Sequence, residues 1–156
     1  MFVRGAKQED AQALYTLCCE QAAHALPREI FEAVFSGLLR DSRRRLSVAL
    51  EDGHIVGYAD LQLNLTLARC EMIAVLLDFY VSEPMRGRGI GTGLMISLAR
   101  QAQSIGCTGL EAGCQRVNVR GQEFLERHGF VRSQHLFSRC LHPSRQMGNS
   151  PDEKSR

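Results

Sequence analysis

The chain has 156 residues, 44% of them hydrophobic and 23% charged, with a formal net charge of +2. That is length enough for one domain with a real core, in ordinary globular proportions. So weak a charge argues against a nucleic-acid or membrane-surface partner, and no apolar run is long enough to span a bilayer.

Phe2 to Arg4 is a short strand candidate. From Asp10 to Ala23, residues Ala11, Leu14, Leu17, Cys18 and Ala22 recur at helical spacing. Pro27 suits the first turn of a second helix, with Ile30, Phe31, Val34, Phe35 and Leu38 as its apolar face. The run Arg43-Arg44-Arg45 reads as a solvated connection rather than an anion-binding patch. Leu46 to Leu50 alternates as a strand, and Asp52-Gly53 signals a hairpin. Ile55 to Leu67 continues as a long strand, with Leu61, Leu63, Leu65 and Leu67 on one face and Gln62, Asn64 and Thr66 opposite. Ile73 to Val81 is apolar enough for a central strand covered on both faces. Ile90, Leu94, Met95, Leu98, Ala99, Ala102 and Ile105 mark an amphipathic helix that Gly106 ends. Gly109 to Cys114 reads as a strand, Asn118 to His128 as a helix closed by Gly129, and Phe130 to Leu141 as two short strands. Residues 142–156 are polar, include two prolines and lack periodicity, as a disordered tail would. The expectation is a single domain over 1–141 of α+β (mixed α/β) class.

Six cysteines (Cys18, Cys19, Cys70, Cys107, Cys114 and Cys140) are scattered with no C-x-x-C pair, so no metal site is expected. They read as small buried hydrophobes in a reducing compartment. With no signal peptide at Met1, the expected location is the cytoplasm.

The stretch that carries chemistry begins in the strand Leu77-Asp78-Phe79-Tyr80-Val81. It continues through Arg86-Gly87-Arg88-Gly89-Ile90-Gly91-Thr92-Gly93, where a helix starts at once. Such a turn presents unpaired backbone N–H groups and the positive end of a helix dipole, which together bind phosphate. Glycines let the anion approach the backbone closely. Neither common nucleotide pattern fits. A Walker loop needs Lys followed by Ser or Thr, and a dinucleotide fingerprint belongs in an early parallel βαβ unit.

Arg86-x-x-Gly89-x-Gly91 resembles the acetyl-CoA pyrophosphate loop, R/Q-x-x-G-x-G/A, of the GNAT superfamily of N-acetyltransferases. Phe79-Tyr80-Val81 resembles that family's preceding strand, Gly106-Cys107 the end of its helix, and Gly53 and Gly57 its hairpin. Asn118 to Phe130 is similar to N-x-x-A-x-x-F-Y-x-x-x-G-F, so the likeness spans Phe2 to about Leu141. Within the superfamily the chain most resembles aminoalkylphosphonate N-acetyltransferases. The residues concerned are Leu14-Tyr15, Leu17-Cys18, Leu39-Arg40-Asp41, Asp52-Gly53 and Ser133-Gln134-His135-x-Phe137-x-x-x-Leu141. Leu77 to Val81 is also similar to aminoglycoside and polyamine acetyltransferases.

The resemblance implies a GNAT fold with about four helices around a mixed sheet that splays apart beside Leu77–Val81. It implies acetyl-CoA as co-substrate. Its pantetheine arm would lie along Phe79, Tyr80 and Val81, and its pyrophosphate on Arg86, Gly87, Arg88, Gly89, Ile90, Gly91 and Thr92. Asn118 would touch the arm, although a plain helix N-cap explains it equally well. An exposed N–H of the strand would hold the developing oxyanion.

The acceptor would be a small-molecule amine, acetylated by direct transfer in a ternary complex, and a homodimer is common in the family. An alkylamine arrives mostly protonated, so a base is needed. Asp78, an acid in an apolar strand, is the candidate, with Glu71 and Glu111 in reserve; a merely paired structural Asp is the competing reading. The family's acid Tyr is replaced here by Leu125, and the base Glu of the phosphonate enzymes by Val75. Tyr80, Cys114 or His128 are the residues left to stand in for the acid. Two other functions stay open: a non-catalytic acyl-CoA-binding module, and a protein or peptide N-acetyltransferase.

Overall fold

A computed structural model describes residues 1–139 and 141. The chain runs through β1 (Phe2–Gly5), α1 (Ala11–Ala22), α2 (Arg28–Arg40), β2 (Arg44–Glu51), β3 (His54–Thr66), β4 (Glu71–Val81), α3 (Ile90–Ile105), β5 (Gly109–Ala112) and α4 (Val119–Arg127). The five strands form one mixed sheet in sequence order. β1 to β4 pair antiparallel, and β5 joins β4 in parallel. The turn between β2 and β3 has positive φ at both Asp52 and Gly53, the hairpin geometry that an Asp-Gly pair favours.

The sheet separates two apolar clusters. On one face α3 buries Ile90, Leu94, Met95, Leu98 and Ala102 against Ala59, Leu61, Ala74, Leu76 and Val81. A fully buried leucine such as Leu94 or Leu98 contributes about 1.5–3 kcal/mol. On the other face α1 and α2 bury Leu14, Leu17 and Phe35 against Val48 and Tyr58. α3 ends at Gly106, whose φ of +94° and backbone bonds to Ala102 and Gln103 form a left-handed cap.

Four sequence expectations need correction. Arg44 and Arg45 do not lie in a solvated connection; they begin β2, and the half-buried Arg44 makes an ion pair with the buried Asp60. The strand expected to run to Leu67 ends at Thr66. Of the four leucines expected on one face, Leu61 and Leu63 are buried, whereas Leu65 and Leu67, at the turn end of the β3–β4 hairpin, are 86% and 94% exposed. Phe130 to Leu141 does not form two strands: residues 130–139 and 141 have no regular structure. Phe130 packs against the α3-side cluster, whereas Val131, Leu136, Phe137 and Leu141 stay exposed. Their uneven spacing gives no period-two face to bury, so nothing favours a strand there. The five described cysteines are all free, and none is fully buried as expected: Cys70 is exposed, and Cys18, Cys19, Cys107 and Cys114 are half-buried. Cys140 and the expected disordered tail over 142–156 lie outside the described residues.

Candidate active site

The parallel ladder between β4 and β5 pairs Ile73 to Leu76 with Gly109 to Ala112 and then stops. β4 continues alone on that side from Leu77 to Val81, so the sheet opens there. Ser82 N–H donates to the Val56 carbonyl at 2.9 Å, on the β3 side. Backbone groups alternate sides along a strand. Tyr80 and Asp78 therefore also turn their backbone groups to β3, and those of Phe79 and Val81 face the open edge. Gly57 serves this close pairing, since a Cβ there would lie 2.8 Å from the Tyr80 carbonyl oxygen.

A β-bulge shapes the same stretch. Asp60 pairs with Asp78, but Leu61 pairs with Leu76, which leaves Leu77 as the extra residue. Before the bulge, Met72, Ala74 and Leu76 face α3; after it, Phe79 and Val81 do. The slip turns Asp78 and Tyr80 toward α1 and α2. Without it, strict alternation would aim Asp78 at α3.

Beyond Val81 the chain makes a short 3₁₀ turn over Glu83–Met85 and reaches the glycine turn. Gly87 and Gly89 adopt φ of +76° and +79°, left-handed values that suit glycine. Gly89 is the N-cap of α3 and has no side chain to offer, and the first helical bond runs from Gly93 N–H to the Gly89 carbonyl. The amides of Ile90, Gly91 and Thr92 are thus left without an intrahelical acceptor at the positive end of the helix. Arg86 reaches backward: its Nε donates to the Val81 carbonyl at 2.9 Å and its guanidinium lies 5.4 Å from the Tyr80 ring centre.

Gly91 has a packing role as well. A Cβ there would stand 3.3 Å from the Phe124 ring, which itself sits 5.3 Å from the Phe79 ring. Asn118 is the N-cap of α4, its side-chain oxygen accepting from Gly121 N–H at 2.9 Å. Leu125 is partly buried against the α3-side core. Of the residues left to replace the missing acid, His128 Nδ1 is engaged with the Phe124 carbonyl at 2.7 Å. The Cys114 thiol lies 3.7 Å from the Asn118 carbonyl, and burial raises it. Tyr80 sits on the α1–α2 face, its phenol raised by burial and by Glu20 and held back by Arg86.

Asp78 opens onto solvent on one side and is crowded by protein on the other. Burial and the Asp60 charge raise its carboxyl above the usual range, while Arg44 and a Gln21 hydrogen bond oppose them. Around it stand Cys18 and Gln21 of α1 and Tyr58 of β3, whose hydroxyl donates to Gln21. The two reserve acids stand apart. Glu71 begins β4, seven residues and roughly 23 Å from Asp78, and accepts a bond from Thr108 at 2.9 Å. Glu111 pairs with Arg69 at 3.7 Å. Sequence reasoning missed Asp60 and Arg44; the one signal for them was an acid on the polar face of a long strand.

The sequence profile of the acetyltransferase (GNAT) family matches residues 9–130. The aminoalkylphosphonate N-acetyltransferase of Salmonella typhimurium is 27% identical over 139 residues, 89% of this chain and 90% of that one. Among solved structures, a putative acetyltransferase from Agrobacterium tumefaciens superposes with a TM-score of 0.83 at 24% identity, over 90% of this chain and 99% of its own. AAC(6')-Iy, bound to the bisubstrate analogue CoA-S-monomethyl-acetylneamine, gives a TM-score of 0.78 at 19% identity over 89% of this chain and 98% of that one. Both structural likenesses concern the fold.

Proposed function

The chain belongs to the acetyltransferase (GNAT) family, whose acetyl donor is acetyl-coenzyme A. On that premise we propose that it acetylates the primary amine of a small molecule, of the aminoalkylphosphonate, aminoglycoside or polyamine class, by direct transfer in a ternary complex. The observation that carries the reading is β4 beyond Leu76: one stretch offers an open backbone edge on one side and a raised carboxyl, Asp78, on the other. The named relative supports the small-molecule class.

In this reading the pyrophosphate lies on the amides of the Gly87–Thr92 turn, with Arg88 at its rim. Arg86 braces the turn against β4. The pantetheine arm runs along the Phe79 and Val81 backbone, past Asn118, and Tyr80 contributes only its side chain. Asp78 takes a proton from the substrate ammonium, directly or through water. The free amine then attacks the thioester carbonyl, and a Phe79 or Val81 N–H holds the oxyanion. Collapse breaks the C–S bond and releases the thiolate of coenzyme A, while the second proton of the attacking nitrogen passes to solvent and leaves the neutral amide. A thiol with a reference pKa of about 8.5 leaves tolerably without an acid, which makes Leu125 workable. We further place the enzyme in the cytoplasm, as free cysteines suit, acting as a homodimer with no nucleic-acid partner.

The test is thiol release from acetyl-CoA across aminophosphonates, aminoglycosides, polyamines and peptides. Turnover with one of the three small-amine classes and none with peptides is expected. Turnover confined to peptides would overturn the substrate class, and coenzyme binding without any turnover would overturn catalysis.

A further inference from the structure

An ion pair buried in the middle of a sheet is costly to build and seldom stabilises more than apolar packing would. Asp60 is 1% exposed, and Arg44 holds it through two bonds, Nε to Oδ1 at 3.1 Å and Nη2 to Oδ2. The pair joins two strands, β2 and β3. Asp60 of β3 stands opposite Leu46 on β2 and opposite Asp78 on β4, and Arg44 reaches it diagonally from the first position of β2. Directly opposed side chains of antiparallel strands have Cβ atoms about 4.5–5.5 Å apart, so Asp60 and Asp78 are near neighbours. The bulge at Leu77 is what puts them on the same face.

We propose that Asp60 and Arg44 are positioning residues that set the pH at which Asp78 gives up its proton. The inference rests on Asp78 acting as the base. The groups facing Asp78 are Cys18 and Gln21 from α1, Arg44 from β2, and Tyr58 and Asp60 from β3. Burial raises both the Cys18 thiol and the Tyr58 phenol, so these stay neutral at physiological pH. Gln21 is uncharged. The charges that act on Asp78 are therefore Asp60, which opposes its ionisation, and Arg44, which favours it. Asp60 lies nearer, and the pair acts as a dipole with its negative end toward Asp78. A dipole fixed by a bidentate bond inside the sheet does not reorganise as the reaction proceeds.

The two ends of the pair make opposite predictions. Asp60→Asn leaves the Arg44 charge alone beside Asp78, and the Asp78 titration should fall by about one pH unit. Arg44→Gln leaves Asp60 and Asp78 facing each other without a counter-charge, so the two share a proton and the upper titration of the pair should rise by a similar amount. The combined Asp60→Asn/Arg44→Gln protein removes both charges and should titrate below wild type, because the nearer charge is gone.

The reading is taken in two ways. The Asp78 carboxyl carbon is titrated by ¹³C NMR in the enzyme without substrate, and the acidic limb of kcat/KM is measured on the amine that the thiol-release assay identifies. Opposite shifts in the two single variants are expected, with the kinetic limb following each. An unmoved Asp78 titration, or shifts in the same direction, would overturn the proposal. Should either single variant fail to fold, an Asp78 titration in the double variant identical to wild type has the same force. If the NMR titration moves and the kinetic limb does not, the tuning pair stands and the role of Asp78 as base falls.

Discussion

Burial and the Asp60 charge raise the Asp78 carboxyl, so the folded protein binds that proton more tightly than the unfolded chain does. For a carboxyl raised in this way, stability is lost as pH climbs from the unfolded value, about 3.9 for Asp, through the folded one. Above that window the ionised side chain opposes folding. Asp10 is the contrast. Arg4 binds it at 2.7 and 2.8 Å and that hydrogen bonding lowers its carboxyl, so it stabilises the fold above the unfolded value and stops doing so as pH falls through the folded one. An acid that works against the fold is the pattern expected where function selects the residue. Asp78→Asn should therefore melt higher than wild type at neutral pH, with the gain vanishing in acid below both pKa values. Its turnover should fall on the order of 10²-fold, recovering toward high pH where the amine arrives neutral. Calorimetric melting across pH, with initial rates on the same samples, checks both. A stable variant with wild-type turnover at neutral pH would sink the assignment.

At the scale of elements, the join of β4 to α3 does two jobs with different glycines. Gly89 needs its left-handed φ of +79° and has open space around it, whereas Gly91 is hemmed in by Phe124 of α4. Gly91→Val should therefore push on Phe124 and destabilise the protein by about 1–3 kcal/mol through overpacking, seen as a lower melting temperature without any ligand present. If its melting temperature is unchanged, α4 yields freely and the packing role is wrong. This join was legible in the sequence because its signals are local: glycines in a row, then an apolar period of 3.6 residues. The Asp52-Gly53 hairpin was legible for the same reason. The bulge at Leu77 was not, because one extra residue leaves an apolar run apolar. Local alternation put Asp78 and Tyr80 on one face, but only the register against β3 reveals which face that is. Arg44 and Asp60 are 16 residues apart, and nothing near either one announces the other. Phe130 to Leu141 shows the converse failure, where β-prone residues with no regular face were read as strands.

In the proposed mechanism, at the scale of the whole molecule, the two halves of the reaction fall on opposite sides of one sheet. The glycine turn and the open edge of β4 lie with α3 and α4, and Asp78 lies with α1 and α2. Donor binding and acceptor chemistry should then separate under mutation. A ligand that binds only the folded state stabilises it by about 2.7 kcal/mol at a hundredfold excess over its Kd. For a domain of this size roughly 2–4 °C of melting temperature accompany each kcal/mol, so acetyl-CoA should raise the melting point by about 5–11 °C. Asp78→Asn should keep that rise in full, since its carboxylate faces away from the turn. Gly89→Val should lose most of it, because a β-branched residue neither accepts φ of +79° nor lets a phosphate reach the amides behind it. The measurement is the shift on adding acetyl-CoA, not the melting point alone, so a variant destabilised by strain still reports on binding. A full shift in Gly89→Val would move the phosphate away from the start of α3. A lost shift in Asp78→Asn would place that carboxylate on the donor side and end its candidacy as the base.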